Sequence, residues 1–318
     1  MRRFDRAVLA HAALVAILFA LQFVLPAYHH LSLARIMVLA TFAVGYNLLF
    51  GYTGLLSLGH AMFFAAGLYG AGLPAYHFGW EAPAAFALGV VAGLVFSFLV
   101  GLVALRTRGV SFMIVTMMFA QAVYLLILYF GTYTHGDEGF TLPETARRFD
   151  MVGLFVDLAS PSLRYNLALA LFAVALAITF VLVRAPAGRV LVAIRENEER
   201  TTMLGYASFR YKLFALVVSG TLSAAAGAAY ALLFAYVGAT FASIQYSILA
   251  LLWTLMGGVG TVAGPFLGTL AMFYLIDFSS GYTSAYLLIV GIALVLLILF
   301  FPKGILGSVR ERWLPWLP

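Results

Sequence analysis

The chain has 318 residues, of which 64% are hydrophobic and only 9% are charged, and its mean hydropathy is +1.04. Because a soluble domain carries roughly one quarter charged residues, this composition excludes a water-soluble globular protein and indicates a polytopic membrane protein. The formal net charge of +6 does not indicate nucleic-acid binding, since the basic residues gather on one side of the predicted topology. The absence of cysteine excludes disulfides, thiolate nucleophiles and cysteine metal sites.

Hydropathy predicts an all-α fold of about ten transmembrane or part-membrane helices. The first apolar run is long enough to cross about 30 Å of hydrocarbon at about 1.5 Å per residue. No small-residue cleavage pattern precedes Pro26, so we expect this run to stay as the first span rather than to be removed as a signal peptide. The predicted spans are 7–25, 33–50, 55–77, 84–105, 110–131, 165–184, 213–237, 246–258, 262–277 and 283–301.

The basic residues orient these spans. With the N-terminus in the cytoplasm, 14 of the 18 Lys and Arg residues fall on the inside, and only Arg35, Arg147, Arg148 and Arg164 fall on the outside. This asymmetry follows the positive-inside rule. It predicts a multi-pass membrane protein with both termini in the cytoplasm.

Two long polar loops are expected in one transmembrane domain that spans residues 1–318. The inner loop covers 184–212, and the outer loop covers 132–164. We expect the outer loop to be an irregular extracytoplasmic cap, which fits either a binding loop or a solvated connector. Its acidic residues are Asp137, Glu138, Glu144, Asp150 and Asp157.

A glycine cluster interrupts the chain after the second span. Glycine breaks helical continuity, and irregular backbone at membrane depth occurs only where protein buries it or a water-filled cavity touches it. This segment is therefore a candidate part of a translocation region, with a tight cytoplasmic turn as the alternative. For the histidine, a hydrogen bond to a backbone carbonyl is a better expectation than a proton relay. The candidate residues are Gly51, Gly54, Ser57, Gly59 and His60.

A second interruption follows the eighth span and is also assigned to the translocation region. Proline at a helix start and glycine at a bend explain its composition. Each half of the chain holds five spans and one break, and an odd number of spans inverts the second half relative to the first. Two inverted five-helix halves are therefore expected, although the two breaks are not in register. The candidate residues are Gly257, Gly258, Gly260, Gly264 and Pro265.

The inner loop predicts one or two amphipathic helices. Apolar positions such as Leu191 and Ile194 recur at helical spacing, and Glu196 and Arg200 are spaced for mutual support. Gly205 stands where a left-handed helix end belongs. Helices that lie on anionic lipid favour basic residues, whereas this segment carries three glutamates, so a protein partner fits better. A solvated loop helix is the alternative.

Three absences narrow the function classes. No acidic or basic residue lies near the middle of a predicted span, and Arg35 is expected near an outer helix end. Ion-coupled carriers usually hold such residues inside the membrane. The sequence lacks a phosphate-binding P-loop, so nucleotide hydrolysis would need a separate subunit. The histidines show no metal-ligand spacing, and no metal or cofactor is expected.

Four segments carry a family resemblance. They are GYTGLLSLGHAMFFAAGLYGAG (51–72), AIRENEERTTMLGYASFRYKL (193–213), LMGGVGTVAGPFLGT (255–269) and FPKGILG (301–307). In order and spacing they resemble the LivM-type permeases of branched-chain amino acid ABC importers. The resemblance implies a permease that pairs with a LivH-type permease in the lipid bilayer, with two ABC ATPase subunits inside and a periplasmic substrate-binding protein outside.

The resemblance also implies roles for individual residues. It assigns Gly51, Gly54, Ser57, Gly59 and His60 to the translocation region. The block that enters a groove on the ATPase consists of Arg195, Glu196, Asn197, Glu198, Glu199 and Gly205. Many permeases carry Glu-Ala-Ala at this loop, whereas here Glu199 is followed by Arg200 and Thr201, which leaves the exact contacts open.

Other function classes stay open at this point. A permease for urea or short-chain amides is similar over the same segments. An ion-coupled secondary carrier would transport solute without a companion, and it is disfavoured by the absence of charges at membrane depth. An intramembrane enzyme would need converging nucleophiles, acids or metal ligands, which the sequence does not offer.

Overall fold

The computed structural model describes residues 3–151, 154–283, 285–300 and 303–313. Three residues that figure in the sequence argument lie outside these ranges: Arg2 of the basic N-terminus, and Phe301 and Pro302 of the fourth family segment.

Helices make up most of the described chain. The first eight are α1 (Arg3–Leu21), α2 (Ala27–Asn47), α3 (Ala61–His77), α4 (Ala82–Ala104), α5 (Val110–Tyr129), α6 (Gly131–Thr134), α7 (Glu144–Arg147) and α8 (Pro161–Arg184). The next seven are α9 (Pro186–Glu196), α10 (Glu198–Met203), α11 (Ser208–Phe234), α12 (Ile244–Gly257), α13 (Gly264–Ser280), α14 (Tyr286–Phe300) and α15 (Gly304–Arg312). A π turn (Leu48–Tyr52) continues α2, and a 3-10 turn (Ala239–Ala242) precedes α12.

Each predicted span overlaps one of these helices. Among the described residues, five helices are long and apolar enough to cross a membrane. They are α2 together with its π turn, α4, α5, α8 and α11. The chain is thus a multi-pass helical membrane protein.

The predicted start of the second span was wrong. Helix α2 begins at Ala27, directly after Pro26, because proline cannot donate the backbone hydrogen bond that a helix interior needs and so favours helix starts. The polar His29 and His30 precede residue 33 and shift the hydropathy boundary to that residue. As a result, Arg35 is the ninth residue of a 21-residue helix rather than a residue at an outer helix end.

Helices α2 and α11 form the centre of the bundle. Both are buried along most of their length, whereas only 28% of the apolar window of α4 and 22% of that of α5 are buried. Close backbone approach joins α11 to α3, since a Cβ at Gly67 would overlap the Ala224 carbonyl and one at Gly227 would overlap the Phe64 carbonyl. Small residues at such crossings let membrane helices pack tightly.

The outer loop is more regular than expected. It holds the short helices α6 and α7 and the strands β1 (Phe140–Thr141), β2 (Arg148–Met151) and β3 (Leu154–Asp157). Strands β2 and β3 form an antiparallel hairpin, and β1 pairs with β4 (Tyr236–Val237) after α11. Strand pairing makes this loop regular, because the hydrogen bonds between strands satisfy peptide groups that would otherwise bond to water.

An ion pair closes the hairpin. Arg148 Nε lies 3.1 Å from an Asp157 carboxylate oxygen, and the two residues are register partners. The Ala159 N–H donates to the other oxygen at 2.8 Å. This N–H and Arg148 hold the pKa of the Asp157 carboxyl below its ordinary value.

Candidate translocation and coupling site

The first break runs from the π turn to the start of α3. Gly54 has φ +76°, a backbone conformation that glycine adopts without strain. The Tyr46 hydroxyl donates to the Ser57 carbonyl at 3.0 Å, and the Gly59 N–H donates to the Ser57 hydroxyl at 3.3 Å. Side chains thus replace part of the lost helical hydrogen bonding, as buried irregular backbone requires.

His60 is fully buried at the end of this break. Its Nε2 lies 2.9 Å from the Ser223 hydroxyl and 3.2 Å from the Ser219 hydroxyl, both on α11. The expected bond to a backbone carbonyl was therefore wrong. Serines four residues apart lie on one face of a helix, so α11 presents both hydroxyls to the same imidazole nitrogen.

The second break joins α12 to α13. Gly258 has φ +127°, and a Cβ at Gly257 would overlap the Gly264 carbonyl, so the chain folds back on itself too tightly for side chains. Pro265 occupies the first turn of α13, where a missing N–H costs nothing.

Asn47 joins the two breaks, although they are far apart in the sequence. This residue is fully buried at the end of α2. Its Nδ2 donates to the Thr261 carbonyl at 2.9 Å, and its Oδ1 accepts from the Gly260 N–H at 3.0 Å. The amide therefore satisfies one donor and one acceptor of the second break. Sequence reasoning missed Asn47; its signal was an amide side chain at the end of an apolar helix, just before a glycine break.

The inner loop forms two helices separated by Asn197. The backbone of this residue is extended, and its Oδ1 accepts from the Arg200 N–H at 2.9 Å as the N-cap of α10. The expected support between Glu196 and Arg200 was wrong, because α9 ends at Glu196 and the two residues lie in different helices. Gly205, with φ +90°, follows the end of α10.

The sequence-predicted glutamates have different environments. Glu198 pairs with the buried Lys212 of α11, with an oxygen-to-nitrogen distance of 2.6 Å, so it holds α10 against the bundle. Glu196 and Glu199 are exposed. Next to Glu199 lies an apolar surface, here called the loop patch, in which Met203 is 84% exposed and Leu204 is 77% exposed. Tyr206 and Phe209 complete the loop patch.

Arginine side chains connect the inner loop to both breaks. Arg195 of α9 donates through Nη1 to the Gly51 carbonyl, and the same Nη1 lies against Gly260. Arg310 of α15 donates to the Gly260 carbonyl at 2.9 Å. The structure therefore brings together the inner loop, the first break and the second break, which the sequence had assigned to two separate functions.

Aromatic rings extend from this region toward the outer loop. Phe234 and Tyr230 have ring centroids 4.9 Å apart, and Tyr230 and Phe241 lie 4.8 Å apart. Further contacts of 5.0 to 5.8 Å continue to the imidazole at the first break. This row, here called the aromatic column, consists of Phe234, Tyr230, Phe241, Tyr246, Phe42 and His60.

These features define a class of protein: a multi-pass helical membrane permease, in which broken helices meet a charged loop at one face. The chain belongs to the family described as the permease component of branched-chain amino acid transport systems, which it matches over residues 29–300. Members of this family are transport components and not enzymes.

Two characterised relatives have similar sequences. The chain is 29% identical to the high-affinity branched-chain amino acid transport system permease protein LivM of Escherichia coli (strain K12) over 298 residues. The aligned region covers 87% of this chain and 69% of that protein. Identity to LivM of Salmonella typhimurium (strain LT2) is 28% over the same coverage. No solved structure gave a significant match.

Proposed function

We propose that this chain is the permease subunit of an ATP-driven importer that moves branched-chain amino acids across the bacterial inner membrane. The family match over residues 29–300 supports this function, as does the similarity to LivM proteins that are named for high-affinity branched-chain amino acid transport. Residues 1–318 act as one permease domain. The face with the loop at 184–212 is cytoplasmic, as are both termini, and the loop at 132–164 is periplasmic.

The single observation that carries the mechanism is the bond from Arg195 to the Gly51 carbonyl. It ties helix α9, in the loop that a companion can reach, to the break at the end of α2. A movement of α9 is therefore transmitted to Gly51 at the first break. The hydrogen bonds of Asn47 then transmit it to the backbone of the second break. Packed cores respond to such movements by switching between arrangements rather than by deforming smoothly.

The loop patch is the surface that docks on the ATPase. Apolar residues this exposed usually mark an interaction site, and the exposed Glu196 and Glu199 of the same loop disfavour an anionic lipid surface. A full importer adds two ABC ATPase subunits, a second permease of the LivH type and a periplasmic substrate-binding protein. About ten helices span or enter the membrane, and the odd number in each half supports inverted five-helix halves.

The test of this function is Leu204→Asp in the loop patch, compared with Tyr133→Asp in the outer loop, where the tyrosine is 63% exposed. A buried carboxylate at a contact is costly, so Leu204→Asp is expected to abolish co-purification of the ATPase subunits and leucine uptake. Tyr133→Asp is expected to leave co-purification intact. Retention of the ATPases by Leu204→Asp would remove the docking assignment, and leucine transport by the chain alone would favour a secondary carrier.

A further inference from the structure

Arg35 occupies an unusual place for a charged residue. It lies in the third turn of α2, a helix buried along most of its length, and it is half-buried. A charge within a membrane helix is costly, and such residues generally face the bundle interior or an aqueous path. The neighbouring Ala34 and Ile36 are buried, so Arg35 is held on the protein side and not on the lipid surface.

The guanidinium of Arg35 has no polar partner among the described residues. Its Nε is buried without a hydrogen-bond partner, and no hydrogen bond or ion pair joins the side chain to another part of the described chain. The guanidinium carbon lies 5.2 Å from the centroid of the Phe234 ring, a cation–π contact. A guanidinium carries five N–H donors, so the donors of Arg35 are free for a ligand.

Two nearby arginines differ in this respect. Arg147 donates to the carbonyls of Leu232 and Leu233, and so it caps the end of α11. Arg164 shares with Arg35 a buried Nε without a hydrogen-bond partner and faces the same Phe234 ring, at 6.0 Å, but its Nη2 donates to the Ala159 carbonyl at 3.1 Å. Both are committed to holding the fold. Arg35 is therefore the arginine of this group that is available to an anion.

The aromatic column begins at the same place. Phe234, which lies against Arg35, is its outermost ring, and the Arg35 charge is within electrostatic reach of the Tyr230 and Tyr246 phenols. A cation without a polar partner among the described residues thus stands at the outer end of a row of aromatic rings. This arrangement matches a small molecule that carries a carboxylate at one end and an apolar group at the other.

We propose that Arg35 receives the carboxylate of the transported solute, while the aromatic column receives its apolar side chain. This inference rests on the proposed transport function and narrows it. An uncharged amide such as urea would leave the guanidinium without the charged partner that repays its burial. The site therefore selects amino acids with apolar side chains over amides.

The test measures equilibrium binding of radiolabelled leucine and of leucinamide, which lacks the carboxylate, to the transporter complex in lipid nanodiscs without the binding protein. Wild type is expected to prefer leucine by about 10- to 100-fold, the range for a charge-assisted hydrogen bond. Arg35→Gln is expected to bring the ratio of the two affinities close to one. A purely structural role would weaken both ligands equally and leave the ratio unchanged.

Two further variants keep the inference falsifiable. Arg148→Gln removes an exposed arginine from the outer loop and is expected to keep the wild-type ratio. Arg35→Lys retains the charge but loses the planar guanidinium, so its leucine-to-leucinamide affinity ratio is expected to lie between those of wild type and Arg35→Gln. If Arg35→Gln does not fold, Arg35→Lys tests the role of Arg35. If both Arg35→Lys and Arg35→Gln keep the wild-type affinity ratio, the role of Arg35 is overturned but the proposed transport function is not. Absence of leucine binding and uptake in wild type would overturn the proposed function as well.

Discussion

At the scale of single residues, the amide of Asn47 stabilises the second break. Asn47→Ala would leave the Gly260 N–H and the Thr261 carbonyl buried without partners, and each such group costs about 1–3 kcal/mol. We expect a loss of roughly 2–4 kcal/mol, measured as a lower unfolding temperature of the purified chain in detergent.

The matched control is Asn166→Ala on α8. Asn166 also donates through its amide, to the Ser162 carbonyl at 2.8 Å in an exposed bond and to the half-buried Gln22 side chain at 3.1 Å. Neither partner is fully buried, so water can replace them and the expected loss is below about 1 kcal/mol. Equal losses for the two variants would show that Asn47 does not hold the breaks together.

Residue patterns predicted the two breaks but not the contact between them. Glycine and proline clusters at 51–60 and 257–265 mark chain reversals because their backbone properties are local. The partner of Asn47 lies 213 residues away in the sequence, and nothing local encodes that contact. Arg35 was misplaced for a related reason: hydropathy averages over a window, whereas Pro26 alone fixes where α2 begins.

At the scale of helices, Gly59 allows the first break to pack closely against α5. A Cβ at Gly59 would overlap the backbone carbonyl of Thr116 on α5, and backbone cannot move aside as a flexible side chain does. Gly59→Ala is therefore expected to destabilise the protein by about 1–3 kcal/mol, and thermal unfolding in detergent measures the change.

Gly291→Ala on α14 is the opposite case. Nothing lies within 4 Å of a Cβ built at this position, so the variant gains only helix propensity, about 0.5–1 kcal/mol. The two alanine variants should therefore shift the unfolding temperature in opposite directions. A lower unfolding temperature for both variants would contradict the packing account of Gly59.

At the scale of the whole molecule, the sequence predicted the helices better than the connections between them. Amphipathic spacing predicted one or two helices in the inner loop, and the structure has two, α9 and α10, separated at Asn197. The contact of Arg195 with Gly51 joins residues 144 positions apart. It connects the inner loop physically to the broken helices. Neither composition nor periodicity predicts this contact.

That connection predicts an uncoupled variant. Arg195→Gln removes the bond to the Gly51 carbonyl but leaves the loop patch unchanged, so the ATPase subunits should still co-purify while leucine uptake falls by tenfold or more, equivalent to about 1.4 kcal/mol of lost coupling. Arg106→Gln, which neutralises an exposed arginine at the same face, should transport normally. Normal uptake by Arg195→Gln would show that coupling does not depend on the bond between Arg195 and Gly51. Loss of both ATPase co-purification and uptake would show instead that Arg195 belongs to the docking surface.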